Sequence, residues 1–193
     1  SWICFQFKLI DMKTTYLSFF ILLVAGCNSV EKPVYKDAQA TIEDRVEDLI
    51  QRMTLEEKVA QLQSLRIRDS TAWDDQCNFL GIEDTAHMNR GTGAVWAPSL
   101  INRSPIERAK CFNNFQKYLL EETRLGIPSM IYGEGLHGYM GNGATSFPQA
   151  IALGGTWDTL LIEKIVTVAS LEAKLHGVTQ VLSPVLDLAR DPR

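Results

Sequence analysis

The 193-residue chain lacks most of what marks a nucleic-acid-binding or metal-binding protein. Its 19 Lys and Arg are outnumbered by 23 Asp and Glu, giving a net charge of −4. No basic stripe interrupts that balance, so no nucleic-acid partner is expected. Cysteine is scarce, with four residues and no Cys-x-x-Cys spacing to hold a metal. The His-Glu-x-x-His pattern of two-histidine zinc helices is missing as well. No apolar run reaches the ~20 residues that a membrane-spanning helix needs. Neither an internal repeat nor a low-complexity tract is present.

What is present starts with a processing signal. Met12-Lys13 opens a short positive segment, Leu17 to Ala25 is apolar, and Val24-Ala25-Gly26-Cys27 has the small residues of a lipobox. This order reads as a lipoprotein signal peptide over residues 12–26. Residues 1–11 precede Met12 and read as upstream translation. Cys27 is then the lipidation site, and its acyl chains would anchor the domain to a membrane in the exported cell envelope. Residues 27–40 are polar, carry Pro33 and read as a tether. Cys4 falls in the upstream part. Cys77 and Cys111 admit two readings, a disulfide in an oxidising compartment or two small buried apolar groups. Spacing favours the second only as the commoner case.

Residues 41–193 read as an α/β domain. Val46, Leu49, Ile50 and Met53 recur at helical spacing behind Thr41, a capping residue. Thr54-x-x-Glu57 is a capping box that opens a second helix. Asp69 to Asn89 is polar and reads as a loop. Gly91 to Trp96 is the first expected strand, Pro105 to Glu122 a helix, and Ile127 to Tyr132 the second strand. A helix from Thr159 to His176 follows, capped by Asp158 and closed by Gly177, and Val178 to Leu182 is a third strand. Alternation of this kind implies parallel pairing with right-handed crossovers. It fits a barrel and an open doubly wound sheet equally.

The strand at Ile127 to Tyr132 runs into Gly133-Glu134-Gly135-Leu136-His137-Gly138. An apolar strand ending in glycines around a carboxylate and an imidazole is how a barrel delivers polar groups to its ligand-binding rim. The glycines allow sharp turns and are expected to leave room for a ligand beside Glu134. A metal reading of Glu134 with His137 lacks further ligands.

Four segments together resemble the N-terminal barrel of glycoside hydrolase family 3. They are Arg45 to Leu62, the Gly126 to Leu153 stretch with Phe147-Pro148-Gln149, Thr156-Trp157-Asp158, and Leu182-Ser183-Pro184-Val185-Leu186-Asp187-Leu188-Ala189-Arg190-Asp191-Pro192-Arg193. The resemblance implies the N-terminal part of a (β/α)8 TIM barrel, incomplete because a whole one needs about 250 residues. It implies a retaining, exo-acting β-glucosidase or β-xylosidase whose nucleophile and acid/base lie past Arg193. No catalytic residue is therefore assigned in this chain. Glu134 matches the position that grips sugar hydroxyls, and His137 is a second substrate-binding candidate. For His137 a histidine held by backbone carbonyls is the plainer reading. Relatives often carry alanine or another small residue where this chain has Gly135, a departure that the resemblance implies is harmless. Asp187, at the end of the third strand, either points into the site or caps a turn, the second being preferred, and Arg190 and Arg193 read as a structural ion-pair network with Asp191. Trp96 and Trp157 admit two readings, stacking on a sugar or, the commoner case in a barrel, core, and Pro148 is a candidate cis proline. The alternative is a non-catalytic, lipid-anchored glycan-binding protein. Neither reading calls for a cofactor, because carboxylate-driven glycoside hydrolysis is metal-free.

Overall fold

Capping chemistry fixes where the first helices begin. The computed structural model describes residues 32–81, 85–186, 188 and 190. The chain divides into two units, Ser1–Arg52 and Met53–Arg193. The first holds α1 (Ile42–Arg52), whose Thr41 hydroxyl accepts the Asp44 N–H at 3.1 Å. Glu43 and Asp44 sit in its first turn, where the helix dipole favours acids. A 3-10 turn at Val34–Lys36 lies just upstream. There the Tyr35 N–H donates to the Asp48 carboxylate at 3.0 Å, and the Arg45 Nε–H donates to the Tyr35 carbonyl at 3.1 Å. The end of the tether segment is thus tied to α1. Cys27 and the signal segment 12–26 lie outside the described residues, as do Asp187, Asp191 and Arg193.

The second unit opens with α2 (Leu55–Gln61) on the expected capping box, both reciprocal bonds being formed between Thr54 and Glu57. It continues through β1 (Ser64–Arg66), β2 (Ala94–Trp96), α3 (Pro105–Glu122), β3 (Met130–Glu134), α4 (Ala150–Gly154), α5 (Thr159–Leu175) and β4 (Gln180–Leu182). The four strands form one parallel sheet in the order β1-β2-β3-β4. Chain order and spatial order coincide, as in a barrel wall, whereas a doubly wound sheet reverses at a switch point.

Four strands stand where three were expected. Ser64–Arg66 escapes pattern reading because it holds a single apolar residue, Leu65. Pairing makes it a strand: Ser64, Leu65 and Arg66 align with Ala94, Val95 and Trp96. Helix α3 has the bounds expected from its sequence, and Ser104 with Glu107 supplies a second capping box behind Pro105 at the first position. Asp158 caps α5 by accepting the Leu161 N–H at 3.0 Å. Gly177 follows that helix with φ +85, the left-handed value a helix stop needs. Among the described residues the cis peptide bond is Ser183–Pro184, not the one before Pro148.

Alternation sorts the sheet into two faces. Leu65, Val95, Ile131 and Val181 turn toward α3 and join its buried Phe112, Phe115 and Leu119 in one core. Each fully buried large apolar side chain contributes about 1.5–3 kcal/mol relative to exposure. Trp73, Phe79, Phe115 and Tyr118 extend this core as an edge-to-face aromatic cluster, with centroids 5.0 Å apart for Phe79 and Phe115. The Cys77–Cys111 disulfide closes the loop that carries Phe79 onto α3, which decides between the two readings of these cysteines. The other sheet face carries Arg66, Trp96, Tyr132 and Glu134, none of them buried. Trp96 therefore lines the open face, and Trp157 is 93% exposed, so neither is core. Among the described residues no helix is long and apolar enough to cross a membrane.

Candidate functional site

Glu134 is the last residue of β3, so its side chain emerges at the carboxyl end of the sheet. Its alternation partner on the open face is Tyr132, while Ile131 and Gly133 face the core. Pairing continues to the strand's end, where Glu134 lies opposite Leu182 of β4. The chain then folds back at once. The Met140 N–H donates to the Glu134 carbonyl at 2.9 Å, and the Phe147 N–H to the His137 carbonyl at 2.7 Å. Thr145 anchors the far side of the loop by donating its N–H and hydroxyl to the two oxygens of Glu172, on α5, at 2.9 and 2.7 Å.

This fold-back encloses a cleft of about 450 Å³. Glu134, Leu136, His137, Met140 and Ser146 line it, with the edges of Tyr139 and Gly141. Glu134 and His137, the two residues singled out from sequence, thus share one cleft. The Glu134 carboxylate is half-buried and, among the described residues, makes no hydrogen bond or ion pair. His137 differs from its plainer reading, because its Nδ1 lies 3.4 Å from the Ser146 hydroxyl and not against backbone carbonyls. The histidine held by carbonyls is His176, whose Nδ1 is 2.7 Å from the Glu172 carbonyl and Nε2 3.1 Å from that of Asn142.

Of the two purposes expected of the glycines, the sharp turn is met at Gly138 and open room beside them is not. A Cβ on Gly135 would stand 2.3 Å from Val181 Cγ1, and one on Gly138 would stand 2.1 Å from the Thr145 carbonyl oxygen. Both are filled by the protein's own packing, and Gly138 also has φ +105. A methyl at Gly135 therefore does not fit this backbone unless β4 or the loop moves. Room for a ligand comes from the fold-back of the loop instead.

A buried cation lies under the cleft. Arg108 of α3 is 1% exposed and stacks on Tyr139, 5.1 Å to the ring centroid, and on Phe112, 5.7 Å. Its Nε and Nη1 and the Tyr139 hydroxyl have no hydrogen-bond partner among the described residues. Burial holds the Arg108 pKa below its ordinary value. The same cause pushes the Tyr139 hydroxyl up to about 12, against the opposing pull of the guanidinium. The ring that walls the cleft is thus neutral and held from behind. Sequence reading missed Arg108 because it sits on a helix turn of mixed polarity with no local signal of burial.

The comparisons with known proteins agree with this geometry. The glycosyl hydrolase family 3 N-terminal domain matches residues 54–193. A beta-glucosidase C from Emericella nidulans is 31% identical over 174 residues, covering 83% of this chain and 27% of that protein. A beta-xylosidase from Formosa agariphila is 49% identical over 71 residues, covering 34% of this chain and 10% of that protein. The solved structure of a β-glucosidase from Erythrobacter marinus superposes with a TM-score of 0.68 at 30% identity, over 82% of this chain and 20% of its own. The chain spans about a quarter or less of the length of these relatives. A parallel sheet in barrel order, a carboxylate at the rim of its third strand and a match over residues 54–193 place this chain in glycosyl hydrolase family 3, as part of its N-terminal domain.

Proposed function

We propose that the chain is the N-terminal part of an exo-acting, retaining β-glucosidase or β-xylosidase in which Glu134 binds the hydroxyls of the terminal sugar. The Glu134 carboxylate at the cleft, without a hydrogen bond or ion pair among the described residues, carries this reading. An ionised carboxylate accepts two short, charge-assisted bonds from neighbouring hydroxyls. A partner inside the protein would compete for those lone pairs. His137, through Ser146, orients the loop that closes the cleft and offers its remaining ring nitrogen to the ligand. Tyr139, Leu136 and Met140 give the apolar wall that a sugar's C–H face requires.

Two carboxyl groups about 5–5.5 Å apart are needed for retention, one as nucleophile and one as acid/base. This reading assigns both to sequence beyond Arg193. The role of this segment is to hold the sugar so that its anomeric carbon meets them. Binding that tightens as the ring distorts lowers the barrier, whereas uniform binding does not. The test uses the protein that carries this segment, with nitrophenyl β-glucoside and β-xyloside, following the released sugar by NMR. The β anomer is expected first. An α anomer first, or no release from either, contradicts the reading.

We also propose that the protein is exported and anchored by lipid at Cys27. The Cys77–Cys111 disulfide supports export, because such bonds persist mainly in oxidising compartments. Mass spectrometry of the mature N-terminus should find acylated Cys27, and an unmodified N-terminus elsewhere would contradict the anchor.

A further inference from the structure

The open sheet face carries a cation that hydroxyl binding by Glu134 leaves unused. Arg66 stands level with Trp96 in the β1–β2 register. Its guanidinium carbon lies 4.2 Å from the Trp96 ring centroid, a stacked cation–π contact. Trp96 is followed across the sheet by Tyr132, with centroids 6.2 Å apart. The Ser64 hydroxyl donates to the Tyr132 hydroxyl at 2.9 Å and fixes that ring. Guanidinium, indole and phenol thus form one wall from β1 to β3, and β3 ends two residues later in Glu134.

The contact holds the guanidinium over the Trp96 ring. Among the described residues no carboxylate pairs with it. That planar fork matches a carboxylate through two parallel N–H···O bonds. The distances suit one ligand. Strands β1 and β3 are two spacings apart, about 9.5 Å, and Glu134 is about 6.5 Å further along its strand. Their Cα atoms are then roughly 12 Å apart, and both side chains project from the same face. A sugar held at its hydroxyls by Glu134 would lie over the aromatic wall with another substituent directed toward Arg66.

We propose that Arg66 is a specificity-determining residue that selects glycosides carrying a carboxylate, such as β-glucuronides. The proposal rests on the glycosidase reading above. Arg66 is exposed on this face, so its guanidinium is accessible to an anionic group on a bound ligand. The competing account is a carboxylate supplied by the protein itself.

The test compares nitrophenyl β-glucuronide with the β-glucoside and β-xyloside in the protein that carries this segment. Wild type, Arg66→Met and Arg66→Lys are assayed, with melting temperatures checked. Arg66→Met is expected to lose roughly 10- to 100-fold in kcat/KM on the glucuronide, as for a lost hydrogen-bonded charge. Its activity on neutral glycosides should stay within about twofold of wild type, a difference smaller than one ordinary hydrogen bond contributes. Should Arg66→Met not fold, Arg66→Lys decides, because it keeps the charge and loses the fork, and its loss should again fall on the glucuronide alone. Equal losses on charged and neutral substrates overturn the proposal, as does a wild type that cleaves the neutral glycosides but not the glucuronide. Both outcomes leave the glycosidase reading standing. If no glycoside is cleaved, that reading fails and the proposal falls with it.

Discussion

Replacing Gly135 by alanine tests whether the floor of the cleft is as tightly packed as the structure shows. An ideal Cβ at this position would stand 2.3 Å from Val181 Cγ1. Carbon atoms in ordinary contact are about 3.5–4.0 Å apart, so the overlap is roughly 1.2–1.7 Å. Val181 cannot easily turn away, because a β-branched side chain is stiff at χ1. It is also a member of β4, paired with Gly133, and packs against the main core. Either β4 or the loop after Glu134 must move. Overpacking of this kind costs about 1–3 kcal/mol. Val181→Ala alone removes two partly buried carbons, at up to about 0.8 kcal/mol each, so at most roughly 1.5 kcal/mol. In the double variant the alanine methyl enters the vacated space, so its cost should fall short of the sum of the singles by at least about 1 kcal/mol. Urea denaturation of wild type, both singles and the double measures this. A Gly135→Ala protein within about 0.3 kcal/mol of wild type, or additivity within about 0.5 kcal/mol, would refute the packing argument.

Other features yield further expectations. The Cys77–Cys111 bridge spans a sequence separation of 34, so its removal as the double alanine variant should cost about 2–4 kcal/mol by denaturation, and a stability equal to that of oxidised wild type would deny it a structural role. The Arg124 guanidinium bonds to Glu57 and holds its carboxyl below the ordinary value of 4.5, with burial opposing. The folded pKa is depressed, so this contribution is full above 4.5 and is lost as pH falls through the folded value. Stability measured against pH should therefore drop on acidification below 4.5, and Glu57→Gln, which keeps the cap, should flatten that component. An unchanged acid limb would contradict the assignment. Arg108→Met, which removes the cation behind Tyr139 and fills its place with apolar atoms, should change stability little or raise it, because the guanidinium is buried and its Nε and Nη1 have no hydrogen-bond partner among the described residues. A loss above about 3 kcal/mol would show that a partner satisfies the charge.

Much of the fold was legible where local signals fix an element. Helix α3 begins at Pro105 because serine, proline and glutamate there meet the demands of a helix start, and α5 is framed by Asp158 and Gly177. Strand ends were less legible because pairing decides them. The expected Ile127–Tyr132 strand lies at Met130–Glu134, where its residues find partners in Ala94, Val95 and the three residues of β4. Strand β1 exists only through β2 and left no periodic trace. At the site, Glu134 and His137 were readable from one motif. Ser146 beside His137, Val181 beneath Gly135 and Arg108 behind Tyr139 were not, because each contact joins distant parts of the chain. The cysteine pair was undecidable for the same reason: its Cα–Cα distance of 4.5 Å is set by how the loop after β1 meets α3.

The most direct measurement is kcat/KM for Glu134→Gln against wild type in the protein that carries this segment, on nitrophenyl β-glucoside and β-xyloside. Two hydrogen bonds to a charged group contribute about 1.5–3 kcal/mol each, so the account predicts a fall of roughly 10²- to 10⁴-fold with little change in melting temperature. An unchanged kcat/KM, or a loss explained by unfolding, would remove Glu134 from the sugar site and contradict the account.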